Sequence, residues 1–269
     1  TQIEIASLGQ RDWKITMSPL QDADGVLQGV AMALDDLTDT RRRESQLTTA
    51  RRYLPLALVE NIRSADLSGF GGQEREITAY FADVRGFSQF SEHLEPELLM
   101  QIINRYLGAA SDAINRYQGV VDKYIGDAVT GLFNTPLNPQ PDHARRAIRA
   151  ALRTMRAVLA LHEQLDAPFH LHFGIGIHTG NAILGNIGSA ERREFAAIGE
   201  AIEISKWLQE MAHPGEILLS GETYTLVEDD FECEAIAPRD LKQKFEIPTI
   251  YRVLRRRRHT GQTPAVRLD

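Results

Sequence analysis

Two aspartates stand where a polyphosphate reaction would need them. Asp83 closes the apolar run Phe81-Ala82 and leads into Val84-Arg85-Gly86-Phe87-Ser88. Asp127 follows Ile125-Gly126 in the segment VDKYIGDAV at 121–129. A carboxylate at the end of a strand and a second in the turn of an adjacent hairpin can hold two divalent cations about 3.5–4 Å apart, the arrangement that in-line phosphoryl displacement uses. Gly86 lets the backbone approach a ligand closely, and the free N–H groups of a helix start favour phosphate. Each motif also has a plainer reading. Asp83 and Ser88 could simply cap the helix that follows, and Ile-Gly-Asp is by itself a common turn. Lys123 lies on the same hairpin, either as a solvated lysine or as a donor to a base or phosphate.

The elements that must position these residues alternate along the chain. Period-two and helical patterning predict a strand at 77–83, a helix at about 91–117, a hairpin at 119–134 and a helix at about 141–164. A strand at 170–178, a strand pair at 181–198, a helix at about 200–212 and a strand at 216–220 follow, with late strands near 231–237 and 248–254. This order suggests an α+β domain, a mixed sheet with helices on one face rather than a doubly wound one. The Leu and Ala runs at 144–161 read as a core-facing helix. His172 and His178 read as strand histidines rather than ligands, since no metal-site spacing accompanies them.

Upstream, residues 1–37 read as short strands: Trp13, Ile15 and Met17 alternate with Lys14 and Thr16, and Asp24-Gly25 signals a turn before the run Val30 to Leu34. A charged helix is expected over 38–53, capped by Thr38 or Asp39, with Leu47 and Leu54 a heptad apart. Such a pair fits a coiled coil or a lone amphipathic helix. Pro55 should end it and start a second helix, Leu56 to Ile62, before a Gly/Ser-rich linker at 64–76.

Length and charge narrow the function classes. The 269 residues suffice for one full domain plus something smaller. A net charge of −7 gives no support for a nucleic-acid partner, and the basic cluster Arg255–Arg258 reads as a solvated tail. The single cysteine, Cys233, excludes an internal disulfide framework and fits a reducing, cytoplasmic location. No apolar run approaches the ~20 residues of a membrane span. The chain starts without methionine and in mid-pattern, so it is read as a fragment whose missing N-terminal regions alone could involve a membrane.

The segments FADVRGFSQFSE, YQGVVDKYIGDAVTGLFNTP, FGIGIHTGNAILGNIGS and GEILLSGETY together resemble the catalytic domain of class III nucleotidyl cyclases, in order and spacing, over roughly residues 75–254. The resemblance implies a ferredoxin-like fold, a head-to-tail dimer, ATP or GTP as substrate, and two Mg²⁺ or Mn²⁺ ions. In that family the ribose 3′-hydroxyl attacks the α-phosphate and pyrophosphate leaves. By the resemblance Asp83 and Asp127 are the metal ligands, with the Val84 backbone beside them, and Arg85, Gly86, Phe87 and Ser88 lie near the β- and γ-phosphates. Lys123 matches the lysine that contacts adenine, which favours ATP. WKITMSPLQDADGVLQGVAMALDDLTD likewise resembles the last strands of a PAS sensor domain. The implied layout is a PAS-like tail at 1–37, a helical signalling linker at 38–74, the cyclase domain at 75–254 and a basic tail at 255–269.

Three positions depart from the family pattern. Gly199 on one side and Pro214-Gly215-Glu216 on the other fix the register. Ala196 then replaces the residue that accepts from the adenine amino group, Glu203 replaces the ribose-orienting asparagine, and Trp207 replaces the arginine at the α-phosphate. Glu203 and Trp207 are four apart and are expected on one helical face beside the stripe Ala201, Ile204, Leu208 and Met211. A glutamate brings negative charge, and a tryptophan offers one neutral N–H in place of a guanidinium. Losing one transition-state donor typically costs about a hundred- to a thousandfold in rate. The expectation is a sensor-regulated adenylate cyclase that is slow as a homodimer. The alternatives are the metal-binding half of a heterodimer, or a pseudo-cyclase that binds nucleotide or a partner without turnover. Arg192, Arg193 and Lys206 are the nearby cations that could compensate.

Overall fold

The computed structural model describes residues 2–5, 9–51, 72–92, 94–189, 193–237, 245 and 249–257. The chain divides into two compact units, Thr1–Pro55 and Leu56–Asp269.

The first unit is a three-stranded antiparallel sheet, β1 (Gln2–Ile5), β2 (Gly9–Gln21) and β3 (Leu27–Asp36), in that order, followed by helix α1 (Thr38–Arg51). Its hairpin turn is the expected one. Gly25 takes φ 78°, and the Asp22 carboxylate accepts from the Asp24 and Val26 amides at 3.0 and 2.9 Å. Leu47 falls within α1, whereas Leu54, the helix expected at Leu56–Ile62 and most of the linker lie outside the described residues.

The second unit is built on an eight-stranded sheet. In chain order its elements are β4 (Gln73–Val84), α2 (Phe87–Ser91), α3 (Pro96–Arg116), β5 (Val120–Ile125), β6 (Ala128–Phe133), α4 (His143–His162), β7 (Phe173–Gly188), β8 (Arg193–Ile198), α5 (Glu200–Met211), β9 (Ile217–Ser220), α6 (Gly221–Thr225), β10 (Phe231–Ile236) and β11 (Ile250–Arg256). The strand order is β10-β11-β9-β7-β4-β6-β5, with β8 paired to β7. Strands β4, β5, β6 and β7 with α3 and α4 form the βαββαβ core of a ferredoxin-like fold. All pairs are antiparallel except β7 with β9.

Several elements differ from their sequence-based bounds, each for a physical reason. The helix expected from 91 is two helices. Pro96 fixes the first turn of α3 and holds Glu95 extended (φ −60°, ψ 136°), so no helix can run through it. Strand β4 begins at Gln73, inside the expected linker, because it pairs with β7 along its whole length, from Gln73↔Leu184 to Val84↔Phe173. The same pairing carries β7 through His178-Thr179-Gly180, where a break was expected. Arg255 and Arg256 are strand residues opposite Glu232 and Phe231 rather than a solvated tail, and Arg255 Nε meets Glu232 Oε2 at 2.7 Å.

The helices occupy both faces of the sheet, not one. Alternation along β7 explains this. Ile175 and Ile177 point into the main core with Tyr80, Val84, Tyr106, Ile114 and Ile148, beneath α3 and α4. Gly174 and Gly176 face the other way, and their missing side chains let α5 lie directly on the strands. A Cβ on Gly176 would sit 2.1 Å from the Ser205 carbonyl oxygen and 2.3 Å from the Gln209 amide nitrogen. Backbone cannot yield as a flexible side chain can, so Gly176→Ala must push α5 outward. The expected cost is about 3 kcal/mol, the upper end for overpacking, read as a lower urea midpoint at unchanged slope. An unchanged midpoint would contradict this packing.

Candidate active site

Asp83 is the penultimate residue of β4 and pairs with Ala128, the residue that follows Asp127 in the β5–β6 turn. Register therefore brings together two carboxylates that are 44 positions apart in sequence. Gly126 makes that turn possible with φ 62°. The Val84 amide donates to the Asp127 carboxylate. Burial, and then the charge of Asp127, push the Asp83 carboxyl above the ordinary range; Arg85 opposes, Glu210 adds to the rise and Lys206 counters it. Asp127 is raised too, by burial, against hydrogen bonds from its own and the Val84 amides and the charge of Arg85. Two carboxylates held beside each other in a partly dehydrated place favour a cation or a proton between them.

Arg85 answers part of that need from within the chain. Its Nη2 lies 3.2 Å from Asp83 Oδ1 and donates to the Gln209 carbonyl of α5 at 3.1 Å. Gly174 leaves the room, since a Cβ there would stand 2.5 Å from Arg85 Nε. The following turn is fixed by the Arg85 amide donating to the His172 carbonyl at 2.8 Å and by Gly86 at φ 74°. Gly86 is the N-cap residue of α2, without a side-chain cap, so neither Asp83 nor Ser88 performs the capping role. Phe87 packs on the main core beside Phe90, and Ser88 is exposed.

Asp83 lines a cavity of about 440 Å³, whose lining includes Ala128 but not its neighbour Asp127. One wall is the sheet, with Asp83, Arg85, Asp122, Lys123 and Thr130. The other is α5, with Glu203, Lys206, Gln209 and Glu210, and Phe81, Ile125, Ala128, Ala197 and Ile202 supply the apolar surface. Lys123 reaches the cavity together with its neighbour Asp122, which strand alternation would forbid. A bulge between Val121 and Lys123 shifts the register and turns both residues to one side. Lys123 Nζ is 3.5 Å from Asp122 Oδ2. Burial raises the Asp122 carboxyl, and Lys123 opposes that rise.

Glu203 and Trp207 do not share a face. Glu203, Lys206 and Glu210 form the exposed stripe of α5 toward the cavity. Trp207 is turned into a core with Ile204, Leu208, Met211, Leu218 and Ile250, packed edge-on to Phe245 at 5.9 Å. The apolar stripe of α5 captures the large indole, whose burial outweighs leaving its Nε1 without a hydrogen-bond partner. Trp207 thus offers no N–H to the cavity. Ala196 is also buried and off the cavity, which Ala197 lines instead. Of the compensating cations, Lys206 lines the cavity and stands 4.0 Å from Glu210, Arg193 Nε donates to the Ser189 carbonyl, and Arg192 lies outside the described residues. His178 is held by Ser220 at 2.7 Å, with its pKa pushed down to about 4 by burial. Sequence reading passed over Asp122 and Thr130. The doublet Asp122-Lys123 inside an otherwise apolar strand was the available sign.

Among the described residues no group of three or more His, Cys, Asp or Glu is placed to hold a metal ion by itself, and no helix is long and apolar enough to cross a membrane.

Comparison with known proteins agrees with this architecture. Residues 72–253 match the family described as the adenylate and guanylate cyclase catalytic domain. Adenylate cyclase 1 of Rhizobium meliloti is 27% identical over 220 residues, 79% of this chain and 33% of that protein. An adenylate cyclase of Anabaena cylindrica is 27% identical over 61% of the chain, again covering 33% of the relative. The chain thus spans about a third of the length of these curated relatives. The crystal structure of the adenylyl cyclase CyaB from P. aeruginosa superposes with a TM-score of 0.65 at 31% identity, over 71% of this chain and all of that one. That of the guanylyl cyclase Cya2 gives 0.62 at 28%, over 72% of this chain and 98% of that one. The fold, the order of its motifs and the family match agree: this chain belongs to the adenylate and guanylate cyclase catalytic-domain family.

Proposed function

We propose that residues 75–254 convert ATP to cAMP and pyrophosphate. The observation that carries this reading is the meeting of Asp83 with Asp127, where Asp83 opens onto a cavity that also receives Lys123 and Lys206. The donor set fits Mg²⁺ or Mn²⁺: two carboxylates and the Val84 main-chain carbonyl are hard oxygen donors, too few for a closed cage. Such ions complete their shells with substrate phosphates. When bound, two such ions would favour deprotonation of the 3′-hydroxyl and neutralise charge on the α-phosphate.

The chain's own residues do the remaining work. Arg85 holds the Asp83 carboxylate in place. The turn Arg85 to Ser88 faces the β- and γ-phosphates, Lys123 meets the base, and Lys206 supplies positive charge near the α-phosphate in place of the family's arginine. The exposed Tyr124 and Ile125 on β5, and Ile183, Ile187 and Ile198 on the β7–β8 pair, support a dimer, because exposed large apolar residues are better covered by a second chain. Residues 1–37 are proposed as the end of a PAS-like sensor, 38–72 as a signalling linker that opens with α1, and the residues after Arg256 as a basic tail.

A second reading draws on α5. With Glu203 in the cavity and Trp207 in the core, that helix supports slow turnover as a homodimer, or service as the metal-binding half of a heterodimer. The test is product formation by the purified chain with Mn²⁺ and either ATP or GTP. Slow cAMP synthesis in excess of cGMP is expected. A rate typical of the family would remove the case for a handicap at Glu203 and Trp207, and triphosphate binding without any product would favour the pseudo-cyclase reading.

A further inference from the structure

Asp122 is a buried cavity carboxylate with no task in that scheme. Its side chain is only 6% exposed, yet it lines the cavity, and its Oδ1 has no hydrogen-bond partner. Oδ2 is already engaged, 3.5 Å from Lys123 Nζ and 3.4 Å from Thr130 Oγ1. Thr130 is itself tied to the bulge, accepting from the Lys123 amide and contacting the Lys123 carbonyl, both at 3.2 Å. Leaving a buried carboxylate oxygen unpaired is costly, and a donor presented from the cavity side would relieve that cost. The surroundings favour a flat, apolar-faced donor: Phe81, Ile125, Ala128, Ala197 and Ile202 line the same space. An acceptor and an ammonium side by side on a bulged strand match an edge that presents an N–H donor next to a ring-nitrogen acceptor. The adenine edge has that pattern in its 6-amino group and N1. Position 196 cannot serve as the acceptor, being a buried alanine off the cavity.

We infer that Asp122 accepts the 6-amino group of adenine and, with Lys123, sets the base specificity of this site. This rests on the cyclase reading above, and the experiment separates the two. Titration calorimetry with Mn²⁺ would compare 3′-deoxy-ATP, its purine analogue lacking the 6-amino group, and 3′-deoxy-GTP, none of which can cyclise. The wild-type chain should bind 3′-deoxy-ATP on the order of 10- to 100-fold more tightly than the analogue without the amino group, the scale of a hydrogen bond to a buried charge. In Asp122→Ala that ratio should fall to near one, because protein and ligand would then lack the two halves of the same bond.

If Asp122 merely steadies Lys123, the variant weakens all three ligands alike and the wild-type ratio persists, which overturns the inference. A wild-type ratio near one overturns it without any variant, so misfolding of Asp122→Ala leaves the test intact. Tighter binding of 3′-deoxy-GTP overturns the assignment to adenine. Absence of binding by all three overturns the cyclase reading and this inference together, whereas equal binding by all three removes only this one.

Discussion

Asp127→Asn is expected to lower turnover and Mn²⁺-dependent nucleotide affinity while making the ligand-free protein more stable. The loss follows from removing one of two carboxylates that would hold the catalytic ions, and should be on the order of a thousandfold in rate. The gain follows from the electrostatics. Asp83 and Asp127 both have carboxyls raised in the folded state, by burial first and, for Asp83, by the charge of Asp127. A carboxyl that binds its proton more tightly when folded than when unfolded destabilises the fold wherever it is ionised. Its penalty is absent below the ordinary carboxylate pKa of about 3.9 and grows as pH rises through the raised folded value. The stability advantage of Asp127→Asn over wild type should therefore be largest at neutral pH and vanish in acid. Urea denaturation of both proteins across pH 3.5–8 would show it. A variant that is less stable at neutral pH contradicts the electrostatic account, and one that keeps a tenth of the activity contradicts the metal-ligand role.

Trp207→Arg is expected to unfold the chain more readily rather than repair it. Read from the sequence, Glu203→Asn with Trp207→Arg restores the family pattern and should raise turnover. The structure separates the two changes. Trp207 is 4% exposed in a core with Ile204, Leu208, Met211 and Phe245, so arginine there loses the indole contacts and buries an unpaired guanidinium. A cost of about 4 kcal/mol, or about 10 °C in Tm, is the expected scale. Glu203→Asn changes an exposed residue of the cavity wall and should leave Tm within about 2 °C while raising turnover roughly tenfold by removing a negative charge from the phosphate path. Differential scanning fluorimetry and a cAMP assay on both single variants decide the matter. If Trp207→Arg is as stable as wild type and faster, the indole is not a core residue in the active state.

The chain read alone determined most of what is local. Alternation and turn chemistry located Asp83 at a strand end and Asp127 in a hairpin turn, and fixed the order of strands and helices. The succession of motifs from FADVRGFS to GEILLSGETY pointed to the cyclase fold, because each depends on residues close together in sequence. What only the tertiary structure decided are matters of which surfaces meet. Gly174 and Gly176 read as ordinary strand glycines until α5 is laid across them. Glu203 and Trp207 sit one turn apart, but the faces of α5 are chosen by a sheet that is apolar on one side of the helix and open on the other. Asp122 should point away from Lys123 by strict alternation, and a bulge set by pairing with β6 turns both into the cavity. Arg85 belongs by sequence to a phosphate-facing turn, yet its guanidinium lies against Asp83 and the carbonyl of Gln209, a residue 124 positions away. The carboxylate pair was legible because spacing along one chain encodes it. The division of its surroundings into cavity and core was not, because packing between distant segments settles which side of each element meets water.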